Sequence, residues 1–137
     1  MKKNQTKGII KMLHNWHTLI KNKAIDQLST LLADDVTLFS PVIHTPIQGK
    51  KMVSMYLTAA FHTFLNGTFK YDREFSGDNS AVLEFSLNIQ GIDINGIDMI
   101  TWNEQGKITE FKVMIRPYKA LNMINDQMTA ILAKLKP

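Results

Sequence analysis

The run Gly96-Ile97-Asp98-Met99-Ile100-Thr101-Trp102 sets one carboxylate in an otherwise apolar, β-prone segment. An ionised side chain is costly to bury there, which leaves two arrangements. Asp98 faces water on the outer side of a sheet, or it faces inward and stays partly protonated because desolvation raises its pKa. An inward Asp98 is a proton or hydrogen-bond donor near neutral pH, and that is chemistry. His44 is the other candidate: it lies four residues beyond Ser40 in a proline-bracketed loop, and its ordinary pKa suits a general base. The competing account of His44 is an exposed loop residue without a role. His14 and His17 have the three-residue spacing of a helical ligand pair, but no neighbouring His or Cys offers a third ligand, so neither a metal nor a cofactor is expected. There is no phosphate-cradling glycine loop and no nucleophile elbow.

These residues need a scaffold, and 137 residues with 45% hydrophobic content are enough for one domain with a sizeable core. The absence of cysteine removes disulfides, thiolate ligands and a cysteine nucleophile together, and it is compatible with a cytoplasmic location. The basic start Met1-Lys2-Lys3 resembles the first part of a signal peptide. Lys11 and His14 interrupt the apolar stretch behind it, so the segment reads as part of the mature protein. No stretch approaches the roughly 18 apolar residues that span a bilayer, so no membrane partner is expected. The net charge of +4 rests on dispersed lysines, with Arg73 and Arg116 the only arginines, and that pattern does not favour nucleic acid.

The apolar period places helices at about residues 5–20 (Ile9, Met12, Leu13, Trp16, Leu19, Ile20), 24–32, and 50–65 (Val53, Tyr56, Leu57, Ala60, Phe61, Phe64). A short strand Val36–Ser40 and a loop Pro41–Gly49, with two prolines and a glycine, lie between the last two. From Thr68 the period changes to two: a strand to Phe75, the alternating strand Ala81–Ile89, the strand containing Asp98, and Lys107–Arg116 after a turn at Asn103–Gly106. A terminal helix follows Pro117, giving a core of about 5–117 and a helix of about 118–135. Three helices followed by antiparallel strands predict an α+β domain with helices over one face of a curved sheet. The Asp98 strand is apolar on both faces, with Ile97 and Met99 opposite Asp98, Ile100 and Trp102. A second cover is therefore required, either the terminal helix or another subunit, and a sheet-to-sheet homodimer is the more economical.

Ala33-Asp34-Asp35-Val36, Ser40-Pro41-Val42, Gly49 and Gly106-Lys107-Ile108, in this order and at these spacings, resemble the nuclear transport factor 2-like superfamily, and Met114-Ile115-Arg116-Pro117 resembles a segment common in its SnoaL-like proteins. The likeness runs from about His14 to Leu121 and is greatest to its SnoaL-like and ketosteroid isomerase-like branch. The resemblance implies a cystatin-like cone, an apolar pocket for a small hydrophobic molecule, and commonly a homodimer. Of the ketosteroid isomerase residues, the proton-shuttling aspartate falls on Ser40 and the oxyanion-binding tyrosine on Trp16, whereas the protonated aspartate that donates to the oxyanion falls on Asp98 and is kept. Steroid isomerisation by the usual proton shuttle is therefore not expected.

Asp98 and His44 are thus the candidate catalytic residues. Trp16, Ser40, Phe61, Ile100, Trp102 and Arg116 are the candidate ligand contacts, Arg116 toward a ligand carboxylate or, alternatively, across a dimer seam. Three functions are compatible with this set: a small isomerase, cyclase or hydrolase using Asp98 as acid or oxyanion donor, a binding module without turnover, and a dimeric accessory domain with a vestigial pocket.

Overall fold

The apolar stripe of the first helix works as expected: Met12, Leu13, Trp16 and Leu19 are buried, and Trp16 is wholly enclosed. The computed structural model describes the backbone of residues 2–135 and the side chains of residues 11–135, so Ile9 at the head of that stripe lies outside the described side chains. The helices are α1 (Lys2–Asn22), α2 (Lys50–Phe64) and α3 (Tyr118–Leu135). The strands are β1 (Leu32–Phe39), β2 (Ile47–Gln48), β3 (Lys70–Ser76), β4 (Ser80–Ile89), β5 (Ile92–Trp102) and β6 (Ile108–Arg116). None of the described helices is long and apolar enough to cross a membrane.

The expected second helix is a 3-10 segment, Ile25–Leu31, and Leu28 is its one buried residue. Lys23 turns to positive φ (52°) just before it, and the chain becomes extended at Leu32, so the segment is too short and too tightly bounded for α-helical turns.

One mixed sheet runs in the order β2-β1-β6-β5-β4-β3. Neighbours pair antiparallel except β1 with β6, which are parallel, with Leu38 beside Phe111. No hairpin joins these two strands, so connection length leaves their direction free. The β4–β5 hairpin is fixed by a two-residue turn in which Gln90 (φ 52°) and Gly91 (φ 84°) both take positive φ, the primed geometry that matches strand twist. From that turn the register counts back to Leu83 opposite Asp98 and Phe85 opposite Gly96.

The inner face carries Ala81, Leu83, Phe85, Leu87 and Ile89 from β4 and Ile94, Gly96, Asp98, Ile100 and Trp102 from β5, all buried. The core falls into two clusters. Trp16, Leu28, Val36, Leu57, Phe61, Leu83, Ile100 and Trp102 belong to the first, and Phe64, Phe85, Leu87, Ile94, Ala120 and Ile124 to the second. Asp98 and Gly96 lie between them along β5. Gly96 has no substitute here, since a Cβ would sit 2.5 Å from Phe85 Cζ and 2.6 Å from the Met114 carbonyl oxygen. The missing side chain lets Phe85 lie against the strand and separates the clusters.

Ala120 and Ile124 place α3 on the inner side, packed on α2, β5 and β6. Among the described residues nothing covers the outer face, where Phe75, Met99 and Met114 are exposed. Arg73 and Glu84 form a bidentate pair on it, at 2.6 and 3.2 Å.

Candidate functional site

Asp98 faces inward with only 7% of its surface exposed. Its cross-strand neighbours are Leu83 on β4 and Val113 on β6, which offer no hydrogen bond. The polar partner is Tyr71, which comes from the edge strand β3. The register of β3 against β4 shifts between Tyr71 and Arg73, where Asp72 is the extra residue. Such a bulge turns the residues on its two sides to different faces. Arg73 and Phe75 follow the outer phase, whereas Tyr71 pairs with Phe85 and points inward.

Tyr71 Oη donates to Asp98 Oδ2 at 2.6 Å and accepts from Trp16 Nε1 at 3.0 Å. Trp16 is held by Phe61 and Phe111, with ring centroids 5.7 and 5.2 Å away. The donors Trp16 N–H and Tyr71 O–H therefore point in one direction, toward Asp98. His17, beside Trp16 on α1, sets its ring edge against Tyr71 (5.4 Å) and meets Glu74 Oε1 through Nε2 at 2.6 Å. That contact is partly open to solvent and ties α1 to β3 above the buried chain.

Burial pushes the Asp98 carboxyl up to about 7, against a weaker downward pull from the Tyr71 hydrogen bond. Burial first, and then the Asp98 charge, push the Tyr71 phenol well above its ordinary 10.0. Tyr71 therefore keeps its proton and remains a donor, and Asp98 is the group that changes charge near neutrality. With Oδ2 accepting from Tyr71, and with no protein partner for Oδ1 among the described residues, the carboxyl proton belongs on Oδ1.

Two small apolar cavities adjoin this group. The inner one is lined by Asp98, Tyr71, Ile20, Phe61, Phe69 and Phe111 and holds about 20 Å³ open to the centre of a water-sized sphere, room for about one water. The outer one, about 40 Å³ by the same measure, is lined by Ser40, Pro41, Val42, Tyr56, Ile124 and Met128 among others. Leu57, Ala60, Phe64 and Val113 belong to both walls. Among the described residues, neither wall contains a histidine, a lysine, a glutamate or a second aspartate.

The expected site residues separate into groups. Asp98, Trp16 and Phe61 come together, Trp16 through Tyr71 and not by direct contact with the carboxyl. Ser40 lines the outer cavity, and its Oγ accepts from the Val42 N–H at 3.2 Å. Ile100 and Trp102 share the inner face of Asp98 but lie in the first core cluster and line neither cavity.

His44 is not brought to Asp98. It is exposed in a groove with Phe39, Pro46, Lys112 and Met114. The reason is β2, whose pairing of Ile47 with Leu38 and Gln48 with Thr37 pins the 40–46 loop at the sheet edge. Arg116 is likewise exposed, at the end of β6 opposite Asn95. The residue that sequence reasoning missed is Tyr71. An inward Asp98 requires a donor, and of the tyrosines Tyr56, Tyr71 and Tyr118 only Tyr71 falls in a strand-patterned segment.

With this geometry in place, the chain matches the SnoaL-like domain family over residues 13–111, nearly three quarters of its length. It belongs to the SnoaL-like domain family. Among solved structures, this SnoaL-like protein is similar to a steroid delta-isomerase from Pseudomonas aeruginosa, with 32% identity, 93% of each chain covered and a TM-score of 0.85. An uncharacterised bacterial protein with a cystatin-like fold from Silicibacter pomeroyi is 28% identical over 87% of this chain and 83% of that one, with a TM-score of 0.79. An NTF2-like protein of unknown function from Mesorhizobium loti (14% identity, 81% and 93% covered, TM-score 0.70) shares the fold. No curated protein matches the chain.

Proposed function

We propose that this SnoaL-like protein takes up a small hydrophobic molecule carrying one polar oxygen and that protonated Asp98 donates to that oxygen from Oδ1. The observation that carries the reading is a carboxyl raised to about 7 on the wall of an apolar cavity, with its second oxygen held by Tyr71. A donor fixed in a water-poor site stabilises negative charge developing on a carbonyl or epoxide oxygen, an effect worth about 2.7–4 kcal/mol where single oxyanion donors have been removed. The reaction type is isomerase-, cyclase- or hydrolase-like acid catalysis. The similarity to a steroid delta-isomerase supports that class.

Ser40 on the outer wall and the absence, among the described residues, of a histidine, lysine, glutamate or second aspartate from either wall favour one further reading, binding of the same molecule without turnover. Cyclohexene oxide separates the two. In its opening to cyclohexane-1,2-diol the Asp98 carboxyl proton passes to the epoxide oxygen as a C–O bond breaks, water adds to the freed carbon, and the proton that water gives up restores the acid. Diol formation, followed by gas chromatography, is expected with the wild type and is expected to be lost in Asp98→Asn. Thermal stabilisation by cyclohexanone, without diol formation from the epoxide, supports binding alone. If Asp98→Leu binds cyclohexanone as well as the wild type does, the donor role is refuted.

The uncovered outer face supports a homodimer. Met99, Met114 and Phe75 give it an apolar surface, and Arg73, Glu84 and Lys112 give it both signs of charge, so two copies can meet sheet to sheet.

A further inference from the structure

We infer that the ligand is an unbranched chain ending in a carbonyl group, threaded from the Ser40 mouth past Ala60 to Asp98. The inference rests on the donor role proposed for Asp98 and adds the shape of the molecule that uses it.

The hollow consists of two chambers that share one wall. Leu57, Ala60 and Phe64 fall at i, i+3 and i+7 on α2, so they form one stripe, and Val113 on β6 completes the wall that both chambers share. Leu57 and Phe64 are 3% and 8% exposed and anchor the two core clusters, so neither yields without disturbing the core. Ala60 presents only a methyl group on this shared wall. A chain of methylenes needs less room to pass it than a fused-ring skeleton, which is wide enough to press on Leu57 or Phe64.

The distribution of polar atoms agrees with an elongated guest. The inner chamber offers Asp98 and Tyr71, the wall shared by both chambers is apolar throughout, and the outer chamber offers Ser40 and Tyr56. Ser40 Oγ already accepts from Val42 N–H, and its own proton remains free to meet water or a polar tail. Met128 of α3 borders the mouth, and its unbranched, half-buried side chain can re-pack to let a chain in.

The test compares two ten-carbon ketones, 2-decanone and the bicyclic 2-decalone, by calorimetric titration of the full chain. 2-Decanone is expected to bind at least about tenfold more tightly than 2-decalone. Ala60→Leu is expected to weaken 2-decanone by about tenfold or more while the Asp98 carboxyl still titrates near 7, which shows that the variant is folded. Should Ala60→Leu not fold, the wild-type comparison decides alone. Binding of 2-decalone as tight as that of 2-decanone, with both lost in Asp98→Leu, overturns the chain-shaped ligand and leaves the donor role standing. Binding of neither ketone, or binding that ignores Asp98→Leu, overturns both.

Discussion

Asp98→Asn removes a single ionisation from the interior and leaves the shape almost unchanged. The amide oxygen can still accept from Tyr71, and the amide N–H groups replace the carboxyl proton toward the cavity. In the wild type the folded carboxyl sits at about 7 against an ordinary 3.8. A carboxyl raised on folding binds its proton more tightly in the native state, so its contribution is intact below about 3.8 and is lost as pH rises to about 7. At 1.36 kcal/mol per pH unit the whole window corresponds to about 4 kcal/mol. Between about pH 5 and about pH 8 the wild type should lose about 3 kcal/mol that the asparagine variant keeps. Urea unfolding of both proteins at those two pH values reads the difference directly, with the variant gaining on the wild type as pH rises. A stability gap that stays constant to within about 0.5 kcal/mol would show that Asp98 is already ionised in the fold.

Tyr71→Phe withdraws the hydrogen bond that holds the Asp98 pKa down and strands the buried Trp16 N–H; the carboxyl midpoint should move above 7 and the protein should lose about 1–3 kcal/mol, measured by titration and by denaturant unfolding. Gly96→Ala drives a methyl into Phe85 and the Met114 carbonyl and should cost about 1–3 kcal/mol; a thermal midpoint equal to the wild type would show that β5 relaxes freely there. Met114→Lys puts a charge on the uncovered sheet face and should convert a dimer to a monomer in analytical ultracentrifugation, without changing the Asp98 titration.

The inward placement of Asp98 was available from the sequence, although not from its own strand. Ile97, Met99, Ile100 and Trp102 make both faces of β5 apolar, so alternation there is silent. The decision comes from β4, whose alternation is clean, and from Gln90-Gly91, whose two-residue turn sets the count that brings Leu83 opposite Asp98. Tyr71 was harder to read. It lies on an edge strand that is mostly exposed, and the bulge at Asp72 shifts the parity so that Tyr71 and Phe75, both at odd positions, end on opposite faces. The loop containing His44 is steered by the two-residue pairing of β2, a contact too short to leave a periodic signal. The narrowness of the hollow depends on how Leu57 and Phe64 meet Val113 across the fold, a packing detail that spacing along the chain does not carry.

The central claim is that a neutral carboxylic acid is held at the wall of an apolar hollow. A pH titration of the protein labelled with ¹³C at the aspartate side-chain carboxyls, with Asp98 assigned by its absence in Asp98→Asn, measures that state at the atom concerned. A midpoint at about 7 is expected, moving upward in Tyr71→Phe. A midpoint near the ordinary 3.8, unmoved by the loss of Tyr71, would contradict it.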